Sequence, residues 1–153
     1  QMGCVRITER IMRTDPPTAE ETTKARAFID EKIADATSTV PFAKAQTFVG
    51  CAGTFTTLSA LAQGLDSYDP ERIHMSEIPF DRLREVTSDL RAKYAAQRRE
   101  NPVVHPGRAD VIGSGSTVVE QLMDAFEREA GATSFIISEK DILDGIVAGL
   151  AER

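Results

Sequence analysis

A strand-like run passes directly into a glycine turn and then into an apolar helix, and this junction constrains the fold more than any other part of the sequence. It reads Thr47-Phe-Val-Gly-Cys-Ala-Gly-Thr-Phe-Thr-Thr-Leu58. Gly50 and Gly53 lack the Cβ atoms that would keep a bound group away from the backbone amides. A helix beginning just after the turn adds unpaired N–H donors and a partial positive charge. Two interpretations follow: a phosphate-binding turn without the lysine of a P-loop, or a tight strand-to-helix connection whose glycines only permit packing.

Length and charge restrict the class of protein. The 153 residues suit one domain with a hydrophobic core. The formal net charge of −6 argues against a general nucleic-acid or anionic-membrane surface. The apolar runs are too short to cross a bilayer, and the opening Gln1-Met-Gly-Cys4 does not read as a signal peptide. The sequence therefore predicts a cytoplasmic protein with no nucleic-acid or membrane partner.

The cysteines and histidines indicate neither a metal centre nor a catalytic site. Cys4 and Cys51 form no C-x-x-C pair, so we expect reduced, partly buried thiols, with Cys51 as a small buried residue. Together with His74 and His105 they lack the spacing of zinc ligands. Each histidine also lacks the partner that a general base needs. We therefore predict no catalytic residue and no metal ligand.

Alternating strand and helix patterns predict an α/β domain with a few-stranded sheet packed against helices. A first strand is expected over 3–9, where Arg6 and Arg10 share a face and Arg6 is a candidate phosphate contact. Further extended segments are expected at 47–51, 73–78 and 134–137, the last buried on both faces. Helices are expected to begin at or near Thr18, Thr54, Pro79, Arg108 and Ser138.

Caps and turn residues mark the helix ends. Thr18 with Glu21 predicts a capping box, and Ser138 with Asp141 predicts a second one. Gly64 and Gly131 are expected to end the helices that precede them. The last helix is predicted to carry an inward apolar face: Ile142, Leu143, Ile146, Val147 and Leu150.

Other polar and glycine positions are interpreted as structural. At the start of the helix over 108–130, Asp110 is interpreted as a cap that the helix dipole favours. The run Gln97–Glu100 reads as a solvated face. Gly113, Gly115 and Gly145 are expected to permit close helix packing.

Four sequence blocks carry a resemblance to a known family: Gly3-Cys-Val-Arg-Ile-Thr-Glu-Arg10, Val49-Gly-Cys-Ala-Gly-Thr54, His105-Pro-Gly-Arg-Ala-Asp-Val-Ile112 and Ile137-Ser-Glu-Lys-Asp-Ile-Leu-Asp-Gly-Ile146. On these blocks, essentially the whole chain resembles the exopolyphosphatase/guanosine pentaphosphate phosphohydrolase (Ppx/GppA) family of actinobacterial type. The resemblance implies an actin-like fold with a ribonuclease H-like core, as in the sugar kinase, Hsp70 and actin superfamily. It also implies hydrolysis of phosphoanhydride bonds in inorganic polyphosphate or guanosine pentaphosphate, normally with magnesium.

The resemblance also implies which parts of such an enzyme this sequence lacks. Family members have two actin-like domains with the active site between them. The first domain supplies a phosphate loop and the carboxylate proposed to activate water, and the second opens with an Asp-x-Gly-Gly-Gly-Ser loop. Neither loop occurs here, because Gly113-Ser-Gly-Ser116 falls in a block that matches a helix. Residues 1–153 are therefore expected to be the C-terminal part of the second domain, one wall of the cleft, with no magnesium site and no phosphatase activity of their own.

By the same resemblance, Gly50, Gly53 and Thr54 fall at the turn that contacts adenosine in actin-like proteins, which makes them predicted phosphate or nucleotide contacts. Arg108 is a secondary phosphate candidate. Three hypotheses remain open: part of a hydrolase, a nucleotide- or alarmone-binding module without hydrolysis, and a structural segment that builds a dimer surface. An open sheet edge further predicts a homo-oligomer.

Overall fold

Helices make up most of the chain, and a small sheet lies among them. The computed structural model describes residues 2–151, so Gln1, Glu152 and Arg153 of the expected domain lie outside the described residues. The helices are α1 Cys4–Arg10, α2 Ala19–Thr37, α3 Ala52–Ala62, α4 Pro70–Ile73, α5 Phe80–Ala92, α6 Ala95–Arg99, α7 Ile112–Ala130 and α8 Ile142–Ala151. The strands are β1 Val49–Cys51, β2 Ser76–Pro79 and β3 Ser134–Ser138, and single 3-10 turns occur at Phe42–Lys44 and Pro106–Arg108.

The three strands form one mixed sheet in the order β1-β3-β2. β1 runs parallel to β3 with Gly50 opposite Ile137, and β2 runs antiparallel to β3 with Ile78 opposite Phe135. Burial along β3 alternates, with Phe135 and Ile137 fully enclosed and Ile136 half-buried. The prediction of a strand equally buried on both faces is therefore wrong, because the main core covers the face that carries Phe135 and Ile137.

The long helix α7 organises the packing, because it contacts α1, α2, α3 and α5. On one side, Val119 and Met123 join the main apolar core with residues of α3, α5 and the sheet. On the other side, Ala125 joins a smaller cluster that contains Ile7 of α1 and Ile29 of α2. α7 thus connects the sheet to the N-terminal helices.

Several local predictions are confirmed. The Thr18 hydroxyl accepts from the backbone N–H of Glu21, and the Glu21 carboxylate accepts from the Thr18 backbone, so the capping box is complete. Gly64 and Gly131 follow α3 and α7 in the left-handed region, each with φ of 65°. A residue without a Cβ adopts that conformation at little cost, which explains why both helices end there.

The expected strand over 3–9 is wrong, because Cys4–Arg10 is a helix. Ile7 is completely buried against α2 and α7, whereas Val5 is 51% exposed, which suits a helix that presents one side to the core. So short a run of apolar residues does not separate strand from helix by periodicity. Arg6 and Arg10 still share a side, now because they are four residues apart on a helix.

The long helix begins later than expected. Arg108 lies in the preceding 3-10 turn, and Val111 occupies the N-cap position of α7. Asp110 does not cap the helix as predicted. It accepts a 2.5 Å hydrogen bond from Arg99 Nη2 instead, an interaction between residues 11 positions apart that the helix pattern did not reveal.

Three residues of the run Gln97–Glu100 are exposed as predicted, but Arg98 is only 3% exposed. Its guanidinium donates to the carbonyl oxygens of Leu90 (2.8 Å), Lys93 (2.7 Å) and Ala109 (2.6 Å). It also pairs with Asp15 at 3.0 Å. Arg98 therefore links the end of α5 to the turn before α7 and to the loop before α2.

The predicted inward face of α8 is exposed within the described chain. Its large apolar side chains are 53% to 77% exposed: Ile142, Leu143, Ile146, Val147 and Leu150. Asp141, not Ser138, lies at the helix start, where its Oδ1 accepts from Leu143 N–H. A Cβ on Gly145 would meet nothing within 4 Å, so the expected close packing there is wrong. Within residues 2–151, no helix is long and apolar enough to cross a bilayer.

Candidate functional site

The candidate site lies where the two parallel strands end. β1 ends at Cys51 and β3 ends at Ser138, and these residues are partners in the parallel register. After β1, the chain turns at Ala52, whose φ is 67°, and enters α3 two residues earlier than the sequence indicated. In open α/β sheets, ligands bind in the crevice outside the carboxyl ends of the strands. The turn therefore occupies the position at which this fold class places its ligands.

Gly50 serves packing. A Cβ at this position would lie 2.3 Å from Cδ1 of Phe55, far inside van der Waals contact. The Phe55 ring in turn packs edge-on against Phe135, with centroids 5.1 Å apart. The second interpretation of the turn, in which a glycine permits close packing, accounts for Gly50.

Gly53 makes room for an arginine. A Cβ on Gly53 would lie 2.2 Å from Cζ of Arg108, and Arg108 Nη1 donates to the Gly53 carbonyl oxygen at 3.4 Å. Among the described residues, no carboxylate lies within salt-bridge distance of Arg108. The first turn of α3 therefore carries a half-buried positive charge beside its backbone N–H groups.

Thr54 packs against α7. A Cβ on Gly115 would lie 2.7 Å from Thr54 Oγ1 and 3.5 Å from Cβ of Cys4, which confirms that Gly115 permits close packing. Gly113 has the same role beside the Arg98 guanidinium, at 3.2 Å. As the family resemblance implied, the Gly113–Ser116 run lies within helix α7.

A cavity of about 330 Å³ opens at the turn. Cys51, Gly53, Thr54 and Arg108 line it, together with apolar side chains of α3 and α7. Gly50 does not line this cavity. Arg6 faces a separate depression beside Glu9 and Arg10 on the surface of α1, so the structure does not bring Arg6 to the turn.

The sequence did not indicate a second contact near the turn, between Tyr68 and Glu139. The Tyr68 hydroxyl donates to a Glu139 carboxylate oxygen, across 71 positions of sequence. Burial raises the pKa of Tyr68, the hydrogen bond to Glu139 raises it further, and the nearby Thr56 hydroxyl and Arg108 charge oppose these effects. No local pattern marks this pair, because only the fold brings the two loops together.

The remaining candidates from the sequence are Cys51 and the two histidines. Cys51 is exposed, which corrects the expectation of a buried residue, because its side chain points away from the enclosed side of β1. His74 Nδ1 accepts from Glu139 N–H at 3.4 Å, and His105 Nδ1 accepts from Gly107 N–H at 3.1 Å. Within the described part of the chain, no three His, Cys, Asp or Glu side chains are placed to hold a metal ion.

Comparison with known proteins identifies a family. The sequence model of the Ppx/GppA phosphatase family matches residues 1–149. Exopolyphosphatase 2 of Mycobacterium tuberculosis is 48% identical over 150 residues, which cover 98% of this chain and 47% of that protein. The chain thus spans about half the length of the curated relatives it matches.

Solved structures agree with the sequence match. A crystal structure of an exopolyphosphatase-like protein is 38% identical with a TM-score of 0.94, covering 100% of this chain and 49% of that one. The type II variant of the Aquifex aeolicus Ppx/GppA phosphatase is 26% identical with a TM-score of 0.84. The match covers 97% of this chain and 47% of that one. These likenesses confirm the α/β, actin-like fold class and the family resemblance read from the four sequence blocks.

Proposed function

This chain belongs to the Ppx/GppA phosphatase family, and we propose that it forms one phosphate-contacting wall of the active-site cleft of a hydrolase that cleaves inorganic polyphosphate. The proposal follows the exopolyphosphatases among its relatives, of which the chain spans about half. In this proposal, the chain is the C-terminal part of the second of two actin-like domains, and the cleft lies between the domains.

One observation carries the proposal: the guanidinium of Arg108 lies at the start of α3, and no carboxylate in the described part of the chain forms a salt bridge with it. A guanidinium offers a planar fork of donors that matches the oxygens of a phosphate group. The adjacent N–H groups at the helix start attract negative charge as well. Gly53 and Thr54 then border the bound phosphate, whereas Gly50 supports the turn from the core side.

The residues of this chain contact phosphate but do not supply the chemistry of cleavage. Among residues 2–151, neither histidine has the partner of a general base, and both ring Nδ1 atoms accept backbone hydrogen bonds. The described residues also lack a carboxylate cluster fit for magnesium. We propose that magnesium, if the parent protein uses it, is held by residues outside this chain.

A second candidate function is nucleotide or alarmone binding without hydrolysis. The cavity of about 330 Å³ favours it, because it lies within the usual size range for small-molecule sites. Phe55, Val111 and Val119 supply an apolar lining beside the cationic Arg108. An apolar pocket next to a phosphate contact suits a purine base and its phosphates, so guanosine pentaphosphate is the second substrate to test.

Phosphate release by the full-length parent protein tests both functions. We expect the parent protein to release phosphate from polyphosphate. Arg108→Gln should lower kcat/KM for polyphosphate by at least about tenfold, as expected for the loss of a charged hydrogen bond. Arg128→Gln is the matched control, because Arg128 is exposed at the far end of α7. Absence of release from either substrate would contradict the hydrolase, and tight guanosine pentaphosphate binding in that case would support the second function. The 153-residue chain alone should release none.

Assembly and location complete the proposal. The short strand β1 forms one edge of the sheet, and an exposed edge invites pairing with another chain. We therefore propose a homo-oligomer, which sedimentation at increasing concentration would reveal. The free thiols of Cys4 and Cys51 suit a reducing compartment, so we propose a cytoplasmic location, which cell fractionation tests.

A further inference from the structure

A tyrosine and a glutamate form a hydrogen bond near the start of α3, the end of the helix that Arg108 covers. Tyr68 belongs to the loop between α3 and α4, and Glu139 follows β3 directly. The Tyr68 hydroxyl donates to Glu139 Oε1 and lies beside the hydroxyl of Thr56. Thr56 is three residues after Gly53, so it shares the side of α3 that Arg108 covers. The three side chains therefore meet at one end of the helix.

This arrangement brings a negative charge close to Arg108 without pairing the two. Glu139 follows Ser138, which lies opposite Cys51 in the parallel register, and Arg108 lies over Gly53, two residues beyond Cys51. Glu139 is half-buried, and its side chain is engaged by Tyr68 rather than by an arginine. A hydrogen bond from a hydroxyl to a carboxylate is among the stronger polar interactions, so it competes well with a partly exposed ion pair.

We propose that Tyr68 is a positioning residue, which holds the Glu139 carboxylate so that Arg108 stays free to contact a phosphate anion. The inference rests on the proposed function, because it assigns to Arg108 the role of phosphate contact. Without the Tyr68 hydroxyl, the Glu139 carboxylate turns to Arg108 and competes with the anion for the same guanidinium donors. Tyr68 therefore acts on the anion through Glu139 and does not touch it.

Binding of inorganic tripolyphosphate to the 153-residue chain tests the inference through a rescue. Tyr68→Phe should weaken binding roughly two- to fivefold, as expected for a new competing ion pair at a partly exposed site. Glu139→Gln alone should bind at least as tightly as the parent sequence. The double variant Tyr68→Phe with Glu139→Gln should recover this affinity. A double variant as weak as Tyr68→Phe would overturn the proposal, because Tyr68 would then act by packing.

A second measurement tests the inference even if the chain binds no tripolyphosphate, an outcome that would count against the proposed function alone. Thermal unfolding of Arg108→Gln, Glu139→Gln and the double variant forms a double-mutant cycle. The cycle gives the interaction energy between the two charges. With Tyr68 present, the melting-temperature changes should add. In the Tyr68→Phe background, they should become non-additive, because the ion pair has formed. Additive changes in both backgrounds would overturn the positioning role.

Discussion

The guanidinium of Arg108 lies over Gly53 and takes the space that a β-carbon on Gly53 would need, with Cζ 2.2 Å from the ideal Cβ position. The glycine of the turn and the arginine 55 residues later therefore form one structural unit at the start of α3. This pairing explains why the turn needs no P-loop lysine to present a positive charge. It also predicts that a substitution of Gly53 changes the position of the Arg108 guanidinium.

Gly53→Ala should weaken anion binding while leaving the fold stable. The added Cβ displaces the end of a flexible side chain, and alanine is favoured over glycine in a helix by about 1 kcal/mol, so the free energy of unfolding should change by no more than about that amount. Tripolyphosphate titration and urea unfolding of the same samples measure both quantities. Gly145→Ala is the matched control, because a Cβ there meets nothing within 4 Å. Equal affinities for both variants would contradict the role of Gly53.

Gly50→Ala should destabilise the protein, in contrast to Gly53→Ala. Its Cβ would lie 2.3 Å from the Phe55 ring, which is held against Phe135 and cannot move aside at low cost. Overpacking of this kind costs about 1–3 kcal/mol. Urea unfolding measures the loss, and a Gly50→Ala protein as stable as the parent would show that the β1–α3 junction is less tightly packed than described.

Arg98→Met should cost about 3 kcal/mol of unfolding free energy, because it removes the donor of two buried carbonyl groups and one part-buried carbonyl group and breaks the ion pair with Asp15. Burial lowers the pKa of Arg98, while the charges of Asp15 and Asp110 oppose that shift. The neighbouring Arg99→Met is the control, because Arg99 forms an exposed pair with Asp110 and should cost no more than about 1 kcal/mol. Similar losses in chemical denaturation for the two variants would contradict the structural role of Arg98.

The capping box should give the protein a distinct acid sensitivity. The hydrogen bond from the Thr14 side chain, followed by that from the Thr18 backbone, lowers the pKa of Glu21 from 4.5 to about 2. A carboxyl group whose pKa is lower in the folded state stabilises the fold above pH 4.5, and this contribution disappears as the pH falls towards about 2. Glu21→Gln should therefore lower the melting temperature at neutral pH, with the difference from the parent vanishing in strong acid.

An NMR titration of the Glu21 side chain checks the cause of this shift. Thr14→Val removes the largest contribution and should raise the pKa of Glu21. A titration midpoint that Thr14→Val leaves unchanged would show that Thr14 does not govern the carboxylate.

Local features of the fold were predictable from sequence, and features that depend on distant contacts were not. The Thr18–Glu21 box and the helix stop at Gly131 depend on residues close in sequence, so their patterns sufficed. The first segment has the pattern of a strand but forms a helix, because its helical state depends on burying Ile7 against α2 and α7. The burial of Arg98 is not visible in the sequence, because the carbonyl groups that bind it come from two separate segments, the end of α5 and the turn before α7.

In the candidate site, too, local features were predictable from the sequence and contacts between distant residues were not. The glycine turn was visible as a spacing pattern, and Arg108 was reached through the family resemblance. Nothing in the sequence indicated that Arg108 would lie on Gly53, or that Tyr68 and Glu139 would meet beside it, since these pairs are 55 and 71 positions apart. Arg6 is the opposite case: the sequence predicted it as a phosphate contact, but it lies on a different surface, beside Glu9 and Arg10.

Direct binding of inorganic tripolyphosphate to the 153-residue chain tests the central claim, that Arg108 at the Gly53 turn is its phosphate contact. We expect chemical-shift changes in the backbone amides of residues 51–55, and an affinity that falls at least about tenfold in Arg108→Gln but not in Arg128→Gln. Chemical-shift changes elsewhere, or equal affinities for the two arginine variants, would contradict the account.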